Sequence, residues 1–176
     1  MSELPAPETT GPAAGPSQGR PSPPGGQRPA QGWSVGDTFT WPVRVYWEDT
    51  DAGGIVFYAN YLKFFERART EWLRHLGIGQ QMLREKEGGM FIVSETRVQY
   101  HRPSRLDDLL LVTARVQEAG RASLTIEQRA LLQPPDQGAS PLLLCAGSIR
   151  IGWVEVHSLR PQRIPAVVLE ALKART

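Results

Sequence analysis

Three acidic side chains stand close together in the sequence, directly before a pair of glycines. The acids are Glu48, Asp49 and Asp51, and the glycines are Gly53 and Gly54. A carboxylate at such a place could attack an electrophilic carbon or remove a proton from water, and glycines let a backbone come close to a ligand. On residue types alone, the simpler interpretation is that these are the acids of a turn, one of which caps a helix.

A helix is predicted to begin just after this segment, over residues 60–76. Asn60 is the predicted N-cap and Gly77 the predicted stop signal. The apolar stripe consists of Tyr61, Phe65, Ala68, Trp72 and Leu76. The N-terminus of a helix offers unpaired N–H groups and a positive dipole end. Beside a carboxylate, this arrangement could stabilise a developing oxyanion.

The remaining pattern predicts one strand before the helix and four strands after it. The predicted strands are 38–47, 90–101, 107–118, 121–133 and 141–155. Turns are predicted at Ala119-Gly120 and over 133–138, and a short helix is predicted to open at Pro165. Consecutive strands after one helix indicate an α+β fold with a mainly antiparallel sheet. Sheet surface that one helix leaves uncovered predicts an oligomer.

Composition divides the chain into a tail and a single domain. Residues 1–32 are rich in Pro, Gly, Ser and Gln, and we predict that they are disordered, with the domain covering 33–176. We expect no signal peptide in the first 32 residues, because no apolar stretch follows a basic start, and no apolar run approaches about 18 residues. We therefore expect a protein that is cytoplasmic, or at most peripheral at the inner membrane. A net charge of +2 without a basic cluster argues against nucleic acid as a partner.

Other reactive residues give weaker signals. The single cysteine, Cys145, could be a nucleophile, but its apolar surroundings favour a core position. Asp49 and Asp51 have the spacing of a phosphatase aspartate pair without the flanking residues which that site needs. The histidines, which are His75, His101 and His157, lack metal-ligand spacing, so neither a metal nor a cofactor is predicted.

The segment from residue 44 to residue 61 resembles the active-site signature of the 4-hydroxybenzoyl-CoA thioesterase family. That signature reads Gln or Arg, Ile or Val, four free positions, Thr or Cys, Asp, two free positions and Gly-Val-Val. The matching residues are Arg44-Val45, Thr50-Asp51 and Gly54-Ile55-Val56, and only Ile55 departs from it. The aromatic continuation through Phe57-Tyr58 and the segment 100–108 look like the branch associated with the bacterial Tol–Pal system.

The resemblance implies a hotdog fold, in which the sheet wraps around the long helix and subunits pair as a dimer or a tetramer. It implies acyl-CoA as the substrate and Asp51 as the catalytic residue. Gly54, Tyr58 and Ala59 would bind the substrate, with helix N–H groups near Tyr58 and Ala59 polarising its carbonyl. Arg121 would pair with a phosphate of coenzyme A, and a solvated turn arginine is the alternative.

Two positions depart from the Tol–Pal branch. Its members often carry a histidine seven residues after the aspartate and a tyrosine four residues before it, where this chain has Tyr58 and Trp47. The acyl group and any second proton-transfer group stay open for that reason. A second hypothesis also stays open, because hotdog folds host several functions: a non-catalytic module that binds acyl-CoA or acyl carrier protein.

Overall fold

A computed structural model describes residues 31–134 and 139–173. In this part of the chain six strands and three α-helices alternate with short loops. The elements are β1 (Trp33–Val35), β2 (Thr38–Arg44), α1 (Asn60–His75), α2 (Gln80–Glu87), β3 (Gly89–Tyr100), β4 (Leu109–Ala119), β5 (Ser123–Leu132), β6 (Leu142–Glu155) and α3 (Ala166–Lys173). A single turn of 3-10 helix covers Trp47–Asp49. The predicted α+β class is confirmed.

All six strands join one antiparallel sheet in the order β1-β2-β4-β5-β6-β3. Helix α1 packs on the face formed by β2, β4 and β5, which gives the predicted two layers. The two edges of the sheet differ greatly in length, since β1 has three residues and β3 has twelve.

Helix α1 is held by its apolar stripe and by its C-terminal cap. The side chains that it buries include Tyr61, Phe64, Phe65, Ala68 and Trp72. At its end, Gly77 adopts a φ of +78°, which glycine accepts without strain. The N–H groups of Gly77 and Ile78 then donate to the carbonyls of Arg74 and Leu73, which is the Schellman arrangement. The predicted stop at Gly77 is therefore confirmed.

The predicted N-cap is wrong by one residue. Ala59 occupies the cap position and Asn60 is the first residue of the helix. The Asn60 side chain does not turn back to its own helix, because its amide donates to the carbonyl of Asp49 at 3.0 Å. Asn60 thus fastens the start of α1 to the preceding loop.

The structure contains two elements that the sequence pattern does not predict, β1 and α2. The first predicted strand, 38–47, is shorter than expected, because β2 ends at Arg44. The connection between β4 and β5 covers residues 120–122, close to the predicted turn. The predicted turn over 133–138 lies mostly outside the described residues, as does nearly all of the predicted tail. No helix in the described ranges is long and apolar enough to cross a membrane.

Candidate active site

Asp51 lies in a small hairpin between β2 and α1. An antiparallel bridge between Thr50 and Val56 closes the hairpin. The Asp51 N–H donates to the carbonyl of Ile55 at 2.9 Å, and the Gly54 N–H donates to the Asp51 carbonyl at 3.0 Å. Gly54 has a φ of +71°, a conformation that favours glycine and allows this tight turn. One carboxylate oxygen, Oδ1, accepts the Gly53 N–H at 2.8 Å, and the side chain is exposed to solvent.

Asp49, two residues earlier, has a different environment. Its side chain is only 1% exposed, and Oδ2 accepts the N–H of Tyr46 at 3.0 Å. Its carbonyl accepts the N–H of Phe57 at 2.9 Å and the side-chain amide of Asn60. Asp49 therefore ties the 3-10 turn, the hairpin and the start of α1 together. Glu48 is exposed, so the three neighbouring acids have three different surroundings.

The start of α1 presents backbone donors next to this hairpin. The N–H groups of Tyr58 and Ala59 have no hydrogen-bond partner in the part of the chain that the structure describes. Ala59 has φ −73° and ψ −18°, so the helical turn is already formed there. The N–H of Gly54 differs, since it is engaged with the Asp51 carbonyl. A ligand oxygen at the helix end would therefore meet the donors of Tyr58 and Ala59.

Aromatic side chains surround the helix start. The Tyr58 ring is 63% exposed and contacts the ring of Phe57, with centroids 4.6 Å apart. The Tyr100 ring meets Tyr58 edge-on at 6.2 Å, and its hydroxyl donates to the Tyr58 carbonyl at 3.1 Å. Beneath them, the Tyr61 hydroxyl and the Ser104 hydroxyl are 2.8 Å apart, and burial raises the pKa of Tyr61. Sequence patterns alone assign no role to Tyr100.

A second loop fixes the position of the Asp51 hairpin. Ser104, which is fully buried, accepts the N–H of Val56 on its carbonyl at 2.9 Å. A bridge between Ile55 and Arg105 continues this pairing. The segment 100–108, whose sequence resembles the family, therefore supports the hairpin and the helix start from one side.

Arg121 lies at the opposite end of the sheet, in the connection between β4 and β5. It is exposed, and among the described residues its guanidinium makes no ion pair. Ser123, at the start of β5, marks the Arg121 end of the sheet. Ala130, near the other end of β5, is paired with Cys145, which is in turn paired with Tyr100. Ser123 and Ala130 are seven residues apart, or about 23 Å along a strand. Arg121 and the helix start of one chain are thus well separated.

A cavity of about 140 Å³ opens at the Arg121 end of the sheet. Its walls include Arg69 of α1, Phe91 and Val93 of β3, Leu124 of β5, Ile151 of β6 and Val168 of α3. Arg69 donates through Nη1 to Oε1 of the buried Gln128 at 2.6 Å, and burial lowers the pKa of Arg69. Apart from Arg69 and Glu66 the lining is apolar, and the cavity could hold an organic group about as large as benzene.

Cysteine and histidine are the other reactive residue types, and Cys145 lies close to the aromatic rings, since it is paired with Tyr100 across the sheet. Cys145 is 0% exposed, and burial raises the pKa of its thiol to about 12, so the reactive thiolate is scarce at neutral pH. His75 contacts the ring of Phe39. Within residues 31–134 and 139–173, no group of three or more His, Cys, Asp or Glu side chains is arranged to hold a metal ion.

Comparison with known proteins identifies the family. The family model described as thioesterase superfamily matches residues 53–139. The chain is 41% identical to the acyl-CoA thioesterase YbgC of Haemophilus influenzae over 133 residues, which cover 76% of this chain and 93% of that protein. It is 38% identical to the acyl-CoA thioester hydrolase YbgC of Escherichia coli O6:H1 over 135 residues, which cover 77% of this chain and 96% of that protein.

The solved structures agree on the fold. The 4-hydroxybenzoyl-CoA thioesterase of Pseudomonas sp. strain CBS-3 superimposes with a TM-score of 0.70 at 19% identity, covering 77% of this chain and 99% of that one. At this identity the likeness shows the hotdog fold alone, which confirms the predicted architecture. Together with the high identity to the curated relatives, this shows that the chain belongs to the YbgC family of acyl-CoA thioesterases within the thioesterase superfamily.

Proposed function

We propose that this protein hydrolyses the thioester of an acyl-CoA with the carboxylate of Asp51. The observation that carries the proposal is an exposed carboxylate, fixed in a hairpin that leads within a few residues to two N–H groups without a partner among the described residues. The carboxylate supplies a nucleophile or a base. The N–H groups of Tyr58 and Ala59 supply donors for the oxyanion that forms when a thioester carbonyl is attacked.

Two routes lead to the same products. In one, an Asp51 oxygen attacks the carbonyl carbon, coenzyme A leaves as a thiolate, and water hydrolyses the resulting mixed anhydride to the free acid. In the other, Asp51 removes a proton from a water molecule that attacks the same carbon, and the proton passes to the departing thiolate. In both routes the negative charge on the carbonyl oxygen is transient. Tyr58 and Ala59 act at that moment in either case.

We propose further that the working site is shared between two copies of the chain. Within one chain Arg121 and the cavity lie at the Gly89 end of β3, whereas Tyr58 and Asp51 lie at its Tyr100 end. An antiparallel pairing of β3 with β3 of a second copy would place the Gly89 end of one strand beside the Tyr100 end of the other. The length and exposure of this edge strand support such a pairing.

Placing a charge on the β3 edge should therefore dissociate the oligomer. Val93 on β3 is 52% exposed, and a lysine there would lose its hydration when two copies pair. We expect Val93→Lys to give a monomer mass by light scattering at micromolar concentration, where the wild type gives a dimer or larger. The matched control is Val35→Lys on β1, since Val35 is 72% exposed and β1 forms the opposite edge of the sheet. A monomeric wild type would contradict this proposal.

We propose that Arg121 binds a phosphate of coenzyme A, as a guanidinium fork can. Its place on an exposed connection, with no ion pair to any residue of 31–134 or 139–173, supports this assignment. Arg121→Ala should raise KM for acyl-CoA several-fold with little change in kcat, because a contact far from the reacting carbonyl contributes equally to ground state and transition state. Arg129→Ala is the control, since Arg129 pairs with Glu127 and is exposed. An unchanged KM would assign Arg121 as a solvated turn residue.

Release of free thiol separates catalysis from simple binding. The wild type is incubated with a panel of acyl-CoA thioesters, and free coenzyme A is followed with a thiol reagent. An enzyme should release coenzyme A from one or more members of the panel. A module that only holds acyl-CoA or acyl carrier protein would bind the panel and release no thiol above the uncatalysed rate. The exposed carboxylate of Asp51 favours the first outcome, because binding alone does not require a nucleophile or a base.

A further inference from the structure

We infer that Tyr100 positions the oxyanion site, by which we mean the N–H groups of Tyr58 and Ala59. This inference rests on the role proposed above for those two groups. Tyr100 ends β3 and reaches the start of α1 from a neighbouring element. It does not contact the thioester carbonyl. It acts through one peptide group, the one that joins Tyr58 to Ala59.

The geometry of that peptide group carries the inference. The Tyr100 hydroxyl donates to the Tyr58 carbonyl at 3.1 Å. A peptide unit is planar and trans, so this carbonyl and the N–H of Ala59 point in opposite directions. The hydroxyl therefore fixes the orientation of the unit and directs the Ala59 N–H away from Tyr100. It also polarises the unit, since a hydrogen bond to one end of a peptide strengthens the donor at the other end.

The phenol is itself held in place by its neighbours. Its ring meets Tyr58 edge-on at 6.2 Å and Tyr61 at 5.8 Å, and Tyr61 is anchored to the buried Ser104. Burial, followed by nearby ionisable groups, raises the pKa of Tyr100 above its usual range. The hydroxyl consequently keeps its proton near neutral pH and stays a donor.

The test removes only the hydroxyl. Tyr100→Phe keeps the ring and its contacts, so the melting temperature should change little. We expect kcat to fall about 2- to 10-fold, the effect of one neutral hydrogen bond that matters more in the transition state than in the ground state, and KM to stay within about twofold. A residue with a merely structural role would instead lower stability or change both constants together.

A spectroscopic measurement reads the polarisation directly. The probe is a ketone analogue of hexanoyl-coenzyme A, in which a methylene replaces the thioester sulfur and the carbonyl carbon is isotopically labelled. Bound to the wild type, its carbonyl stretch should move to lower frequency than in water, and Tyr100→Phe should reverse part of that shift. Tyr46→Phe is the matched control, because it removes a hydroxyl from a tyrosine that is 60% exposed and is not the donor to the Tyr58 carbonyl: it should leave both the melting temperature and the bound frequency unchanged.

The outcomes separate this inference from the proposed function. Unchanged kcat and unchanged carbonyl frequency in Tyr100→Phe would overturn the positioning role, whatever Asp51 does. Full activity in an Asp51 variant would overturn the proposed role of that carboxylate. The frequency measurement would still decide on Tyr100 in that case, because the ketone is not hydrolysed.

Discussion

Replacing Asp51 with asparagine is expected to lower kcat by on the order of 10²–10⁴-fold and to leave the melting temperature nearly unchanged. Asparagine keeps a side-chain oxygen that can accept the Gly53 N–H, so the hairpin is preserved. It lacks the negative charge and the basic lone pair that attack or deprotonation requires. Steady-state kinetics on the best acyl-CoA substrate, together with a thermal melt, measure both effects.

Glu48→Gln is the appropriate control for that experiment. Glu48 is exposed and three residues away from Asp51, and the substitution removes the same charge. Asp49 is a poor control although it is closer in sequence, because its buried carboxylate holds the Tyr46 N–H and its loss would disturb the fold. Equal losses of kcat in Glu48→Gln and Asp51→Asn would mean that the loop acts through its overall charge.

Removing the Ala59 N–H should have the second largest effect. Proline lacks this donor, and the φ of −73° at Ala59 is within the range that its ring imposes. Ala59 is the cap residue of α1, and its N–H has no partner among the described residues, so the substitution removes no hydrogen bond of the described fold. We expect Ala59→Pro to lower kcat by about 10²–10³-fold, the effect of losing one oxyanion donor.

The control for this substitution is Ala59→Gly, which retains the N–H and changes only the side chain. It should keep kcat within a few-fold of the wild type. Circular dichroism and the melting temperature establish that α1 is intact in both variants. Wild-type kcat in a folded Ala59→Pro protein would show that this N–H does not meet the substrate.

The sequence predicts the elements whose signals are local and strong. The stripe of α1 and the stop at Gly77 determine the helix almost to the residue. The four later strands appear within about two residues of their predicted bounds. By contrast, α2 has only Met82 and Leu83 as apolar residues among eight, and a pattern that short has no readable period. Strand β1 has three residues, and it is stabilised by pairing with β2.

The first predicted strand fails at its end for a tertiary reason. Tyr46 and Trp47 are aromatic residues that favour strands, yet they belong to the 3-10 turn that the Asp49 carboxylate holds. The strand ends here because the Asp49 carboxylate is buried and holds the turn. Whether an aspartate is buried cannot be predicted from its residue type. The helix cap fails in the same way, because the Asn60 amide is drawn to the Asp49 carbonyl.

The site could be predicted only in part for the same reason. Asp49 and Asp51 are equivalent as residue types, and only the fold shows that one is buried and the other exposed. The family signature points to Asp51 without this information. Tyr100 is 42 residues from the carbonyl that it bonds, a separation over which sequence spacing gives no indication of contact.

A single-turnover experiment shows whether the Asp51 carboxylate breaks the thioester. With enzyme in excess over acyl-CoA, thiol release follows the chemical step without product dissociation. We expect fast release by the wild type and by Glu48→Gln, and release slowed by on the order of 10²-fold or more in a folded Asp51→Asn protein that still binds the substrate. Thiol release by Asp51→Asn at the wild-type rate would contradict the proposed role of this carboxylate.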